Sequence, residues 1–167
     1  TNGYDPLTVT GMIHPIPDVF TAQAAADLLI MSTYLNTLTA DIELREPAQF
    51  GHNLVLTPHT YIMNGAVSLT DTVYLNAEGY TNAVFVMQVF GAFSTSVYSK
   101  VILTNGAQAK NVYWEVNGAV NIADYSIFNG TIIANNGAIE LATGATVNGR
   151  ILSTVGAVQT AADTVIA

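Results

Sequence analysis

Residues 114–166 read WEVNGAVNIADYSIFNGTI (114–132), IANNGAIELATGATVNGRI (133–151) and LSTVGAVQTAADTVI (152–166), and the three lines align. Gly118, Gly137 and Gly156 share a column at a step of 19 residues, followed by Ala119, Ala138 and Ala157. Val120, Ile139 and Val158 come next, then Ile122, Leu141 and Thr160, and later Phe128, Val147 and Ile166. A fixed period near twenty residues, filled with strand-forming rather than helix-spaced residues, predicts a β-solenoid. The whole chain then reads as one solenoid domain over 1–167.

Side chains alternate along a strand, so each column can be given a direction. Trp114, Ile133 and Leu152 are expected inside, with Val120/Ile139/Val158 and Phe128/Val147/Ile166. Stacked coils about 4.8 Å apart would turn these columns into apolar ladders. Tyr113, Ile132 and Ile151 then point outward although they are apolar, and such a stripe needs a cover. A second outward column, Ser94, Asn121, Glu140 and Gln159, is polar and uneven. A third, Ile127, Thr146 and Val165 beside Gly144, is β-branched and nearly uncharged. With Ser126, Ala145 and Thr164 it is the flattest strip expected, and regular methyl and hydroxyl groups on a rigid sheet can order surface water.

Upstream of the repeat the pattern is strands and turns at 54–57, 60–63, 67–69, 73–75 and 83–89. Gly-Ala pairs at 65, 91 and 106 continue the theme at uneven steps, as near the end of a solenoid. Asn-Gly at 64, 105, 117, 129, 136 and 148 marks corners that need positive φ. Residues 39–53 hold Asp41, Glu43, Arg45 and Glu46 and read as a solvated cap or connection. Calcium there would need six or more oxygens, which this spacing does not offer. Over 20–38, Ala24, Leu28, Met31, Leu35 and Leu38 recur at helical steps, predicting one amphipathic helix behind an Asp18 N-cap. It is the candidate cover, with Leu28, Met31 and Leu35 against Ile132 and Ile151. Residues 1–19, with three prolines and two glycines, read as irregular entry with a short strand at 7–10.

Composition narrows the function. Of 167 residues 50% are apolar and only 10% charged, against a usual quarter or so. The longest apolar run, 83–93, is interrupted by Gln88 and is too short to span a bilayer. Four basic against twelve acidic residues give a net charge of −8, which disfavours nucleic-acid and anionic-membrane partners. Cysteine is absent, so there is no thiolate metal site or thiol nucleophile. The three histidines, His14, His52 and His59, lack metal-ligand spacing, and no stacked carboxylate column suggests a hydrolase or lyase groove. The reading is therefore non-enzymatic, without metal or cofactor. Asn129-Gly130-Thr131 is a formal glycosylation sequon.

The stretches TAQAAADLL (21–29), LVLTPHTY (54–61), NAVFVMQV (82–89), LTNGAQAKNVYWEV (103–116) and GATVNGRILSTVGAV (144–158) resemble the microbial ice-binding (antifreeze) protein-like β-solenoid family. The resemblance implies a right-handed, triangular solenoid flanked by one long helix. It also implies secretion, the absence of a cofactor, and binding of ice through one flat face rich in Thr, Ser and Ala. The chain departs from the family at His59-Thr60, at Glu140 and Gln159, and in lacking the coils that precede the helix in other members. Such a gap would leave strand edges to be paired by further polypeptide or by a second chain.

Two functions follow as expectations. One is a secreted or cell-surface binder of ice through Ser126, Ile127, Ala145, Thr146, Thr164 and Val165. The other is an extracellular subunit that self-associates by end-to-end stacking or strand exchange. A sugar adhesin would need exposed aromatics in a groove, for which Tyr74, Tyr80 and Tyr98 are the candidates.

Overall fold

Short strand-forming segments separated by Asn-Gly and Gly-Ala corners make a chain that turns three times per circuit and returns to lie on itself. In the computed structural model, which describes residues 10, 12–14 and 18–166, six such circuits, or rungs, stack in sequence order. Rung one is β1 (Ile42–Glu43), β2 (Phe50–Gly51) and β3 (Leu54–Leu56). Rung two is β4 (Thr60–Met63), β5 (Val67–Thr70) and β6 (Thr72–Asn76), and rung three is β7 (Phe85–Val89), β8 (Phe93–Thr95) and β9 (Lys100–Thr104). Rung four is β10 (Val112–Val116), β11 (Val120–Ile122) and β12 (Ile127–Asn129). Rung five is β13 (Thr131–Ala134), β14 (Ile139–Leu141) and β15 (Thr146–Asn148), and rung six is β16 (Ile151–Ser153), β17 (Val158–Thr160) and β18 (Thr164–Ile166). The first strands of the rungs form one six-stranded sheet, the second strands another and the third strands a third. Every pairing is parallel. The strand expected over 7–10 lies, but for Thr10, outside the described residues.

The segment 39–53, expected as a connection, is mostly rung one. Its charged residues face solvent while serving the stack: Asp41 accepts from the Thr60 amide at 2.9 Å and Glu43 accepts from Asn64 Nδ2 at 3.1 Å. Phe50, in the next strand of the circuit, is buried. Strands of two residues carry too little alternation to be seen in sequence.

The second-sheet columns stand as the repeat predicts: Val120 pairs with Ile139 and Ile139 with Val158. The first sheet does not keep the step of 19. Trp114 pairs with Ile132, not Ile133, and Ile132 pairs with Ile151. The reason lies in the corner between first and second sheets, which in rung five contains one more residue, Asn136, held at φ 63°. A one-residue slip exchanges the two sides of a strand. The inward column is therefore Tyr61, Met87, Trp114, Ile132 and Ile151, whereas Ile133 and Leu152 point out. Trp114 is fully buried and its ring lies 5.0 Å from Phe128 and 5.4 Å from Phe93, with its indole N–H donating to the Asn129 carbonyl at 3.2 Å. This aromatic cluster fills the centre of rungs three and four.

Helix α1 (Val19–Thr37) lies on the outside of the first sheet. Asp18 caps it: its carboxylate accepts from the Thr21 amide at 2.7 Å, and Thr21 Oγ1 accepts in return from the Asp18 amide. That backbone bond holds the Asp18 carboxyl below its ordinary value. Leu28, Met31, Leu35 and Leu38 pack with Val86, Tyr113, Ile133 and Leu152, so the covering stripe is the expected one but its partner column is shifted by one residue. The helix is not amphipathic, since Phe20, Leu29, Ile30 and Tyr34 on its other side are exposed. From Leu28 beside rung six to Leu38 beside rung three it advances about 15 Å. Three rung steps make about 14 Å, so the helix runs along the stack axis.

Part of this interface is polar. Gln88 donates to the carbonyls of Leu35 and Leu38 at 2.7 and 2.8 Å. Glu115, with no exposed surface, accepts from Ser32 Oγ at 2.7 Å and Asn36 Nδ2 at 2.8 Å, while its second oxygen has no protein partner. Burial pushes the Glu115 carboxyl above the ordinary 4.5, against the pull of those two donors.

The corner between first and second sheets allows no side chain at one position. A Cβ on Gly91 would lie 2.6 Å from the Gly65 carbonyl carbon, one on Gly118 2.9 Å from that of Gly91, and those on Gly137 and Gly156 would meet the carbonyls of Gly118 and Gly137. Gly137→Ala is expected to cost about 2–3 kcal/mol, a fall of roughly 5–10 °C in Tm, read by thermal denaturation; the neighbouring exposed Ala138→Ser should be near neutral.

Glu115 yields a prediction in pH. A raised carboxyl pKa means the folded state holds the proton more tightly than the unfolded state. The contribution is therefore fully present below 4.5 and lost as pH rises through the folded-state value. Denaturant midpoints measured across this range should fall with pH in the wild type and fall less in Glu115→Gln. Equal slopes in the two proteins would refute the assignment.

Candidate binding faces

With the first sheet covered over rungs three to six, two sheet faces remain open along the stack. The strip expected on the third sheet is only partly at the surface. Ser126 is buried, its hydroxyl bonded to Thr95 Oγ1 at 3.1 Å and to the Ser96 carbonyl at 3.0 Å. Ala145 is buried as well. Both belong to the corner that turns into the third sheet, where side chains point to the axis, so neither is available to a ligand.

Ile127 and Thr146 do stand side by side on the outer face, and the residue next to Thr146 is Thr164, not Val165. The last corner, 161–163, is one residue shorter than its counterpart 142–145, so the register slips here too. Val165 continues the inward Phe128–Val147 column, and it is 46% exposed because no further rung lies beyond it among the described residues. The outward column reads Thr72, Lys100, Ile127, Thr146 and Thr164. Beside it run Val55, Tyr74 and Ile102, and then Asn129, Asn148 and Ile166. Asn148 donates to Asn129 Oδ1 at 3.0 Å and Asn129 to the Val101 carbonyl at 2.7 Å, so the sequon amide is engaged in the stack. A lysine, a tyrosine and two asparagines make this face uneven.

The second sheet is different. Its middle outward column is Ser68, Ser94, Asn121, Glu140 and Gln159. On one side stand Ala66, Ala92, Ala119, Ala138 and Ala157, all exposed, tied rung to rung because the residue after each of the first four donates to the alanine carbonyl of the next rung. On the other side, two residues beyond the middle column, stand Thr70, Ser96, Ala123, Ala142 and Ala161, with Thr70 and Ser96 hydroxyls 3.4 Å apart. Twelve of these fifteen positions are Ala, Ser or Thr. The face is a grid of short side chains on a backbone whose rungs repeat about every 4.8 Å.

The middle column alone, polar and uneven from rung four onward, does not reveal this face in the sequence. The signal lies in the Gly-Ala pairs at 65, 91, 118, 137 and 156, whose alanines are the first flanking column.

The corner between the second and third sheets carries a ladder of left-handed residues: His52, Asp71, Tyr98, Tyr125 and Gly144. His52 Nδ1 lies 3.1 Å from Asp71 Oδ2. Tyr98 and Tyr125 stack at 5.1 Å with an interplanar angle of 13°, and a Cβ on Gly144 would strike the Tyr125 ring. Tyr98 thus gives one ring face to Tyr125. Tyr74 lies on the third sheet and Tyr80 in the loop between β6 and β7, so the three tyrosines considered for sugar binding sit on different elements.

A family model described as Ice-binding-like matches residues 2–166. An ice-binding protein of Nostoc sp. (strain HG1) is 32% identical over 132 residues, 79% of this chain and 48% of that protein. Among solved structures, an ice-binding protein from an Antarctic Flavobacteriaceae bacterium superposes with a TM-score of 0.96 at 52% identity, covering 99% of this chain and 39% of the other. One from the Antarctic ascomycete Antarctomyces psychrotrophicus gives 0.85 at 33% identity, covering 89% and 72%. The chain thus spans about half or less of the first two of these proteins.

Since Ser126 serves the interior, Ser126→Ala should lower stability by about 1–2 kcal/mol, because the Thr95 hydroxyl keeps the Ala123 amide as donor but loses the acceptor for its own proton. Denaturant unfolding reads this; a variant as stable as wild type would return Ser126 to the surface.

Proposed function

Because the chain belongs to the ice-binding-like family, matched over residues 2–166, we propose that it binds ice without catalysis, adsorbing through the outer face of the second sheet and arresting crystal growth or recrystallisation. The observation that carries this reading is the grid of short side chains at fixed spacing. Adjacent rungs stand about 4.8 Å apart and alternate residues along a strand just under 7 Å. Methyl groups at such spacing leave water little to bond and favour its ordering over them. Hydroxyls between the methyls anchor that water as bridging partners. Each contact is weak, but a rigid face makes many at once and is already ordered before it binds.

Ice forms first in the surroundings of a cell, so the protein acts outside it, as a secreted or surface-held molecule. The strip Ile127, Thr146 and Thr164 on the third sheet is the second face that this proposal admits, favoured by the direct Thr146–Thr164 pairing. Assembly through the edges of β16, β17 and β18, open among the described residues, is the competing reading from a different class. Light scattering that returns a monomer rejects it.

Recrystallisation inhibition and thermal hysteresis on purified protein test the proposal. Wild type should be active, Ser94→Tyr should lose most activity with an unchanged melting temperature, and Thr146→Tyr should keep it. Loss confined to Thr146→Tyr would move the site to the third sheet. An inactive wild type would end the proposal.

A further inference from the structure

The second-sheet face is not uniform along the stack. On rungs two and three its middle column is Ser68 and Ser94, both half-buried, with Ser94 Oγ donating to the Val67 carbonyl at 3.3 Å. On rungs four to six the same column is Asn121, Glu140 and Gln159, all longer and all exposed. Asn121 Nδ2 donates to Glu140 Oε2 at 3.2 Å, bracing the two side chains along the axis. The flanking columns stay short: Ala119, Ala138 and Ala157 run on one side, and on the other Thr70 and Ser96 give way to Ala123, Ala142 and Ala161. A flat alanine floor therefore continues beneath a ridge.

Glu140 is the only charged residue on the grid. The salt bridges among the described residues are His14–Asp18, Arg45–Glu43 and His52–Asp71, and none reaches it. Asp124, the other acidic residue lining the hollow by β14, carries charge of the same sign. A carboxylate without a cationic partner keeps its water strongly and in its own orientation, and removing that water costs free energy that one amide hydrogen bond does not return.

We propose that Asn121, Glu140 and Gln159 set the extent of ice contact, confining it to rungs two and three, with Glu140 as the dominant determinant. The inference rests on the second-sheet reading above. Two effects act together. The ridge lifts a crystal plane off the alanine floor of rungs four to six, and the Glu140 charge disrupts the ordered water that would otherwise extend across it. The protein thus carries a larger flat face than it uses, and residues of three rungs regulate how much of it meets ice.

The experiment compares wild type, Glu140→Gln, Glu140→Ser and the triple variant Asn121→Ser/Glu140→Ser/Gln159→Ser, with Ser94→Tyr as the check on the face. Circular dichroism and melting confirm that each is folded. The lowest concentration that inhibits recrystallisation should fall in the Glu140 variants, and in the triple variant on the order of tenfold. A gain in Glu140→Gln assigns the effect to charge, and a gain only in the serine variants assigns it to height; either supports the proposal. If the folded triple variant is no better than wild type while Ser94→Tyr is inactive, the ridge does not limit binding although the face stands. If Ser94→Tyr is fully active, the face itself is wrong and the ridge falls with it.

Discussion

Backbone hydrogen bonding between successive rungs is the constraint from which the other features follow. Parallel pairing holds each circuit at about 4.8 Å from the next, and at the corner between first and second sheets the backbones come closer than a Cβ permits. Glycine is needed there at rung after rung, and the alanine that follows it is turned outward beside the same corner. The flat face is thus a consequence of corner geometry as much as of the residues chosen for its surface. A bulkier corner would separate the rungs and spoil the grid at the same point.

The covered side solves a separate problem. Gln88 and Glu115 point outward from the first sheet, where alternation requires something to point, and the helix supplies two end carbonyls to Gln88 and the donors Ser32 and Asn36 to one oxygen of Glu115. Apolar contacts alone would let the helix slide along the stack, because Val86 and Ile133 offer Leu35 little directional preference. Hydrogen bonds from a fixed glutamine to the last turn set its height. The helix is docked by polar bonds and sealed by leucines.

How much was legible in sequence depended on corner length. Columns anchored on Gly118, Gly137 and Gly156 were read correctly wherever the strand follows that corner directly, which is the second sheet. One extra residue, Asn136, and one missing residue at 161–163 displaced the first and third sheets by a single position, enough to send Ile133 to the helix, Ile132 to the core and Val165 to the inward column. Ser126 and Ala145 were placed on a surface strip because they precede Ile127 and Thr146, yet corner residues do not obey strand alternation. The helix and its cap were legible because propensity and the Asp18–Thr21 spacing agree. The two-residue strands of rung one were not, since two residues cannot display a period of two.

The single-residue differences at Asn136 and at 161–163 have a further meaning for how such a molecule can change. A residue gained or lost at a corner is taken up within that corner, so the strands on either side keep their inward and outward columns: Trp114, Ile132 and Ile151 stay in one column, and Val120, Ile139 and Val158 in another. Length variation is thereby confined to sectors of a rung instead of propagating down the chain. A protein built this way can alter what one side presents while the opposite side keeps its spacing, so its faces are free to diverge at different rates.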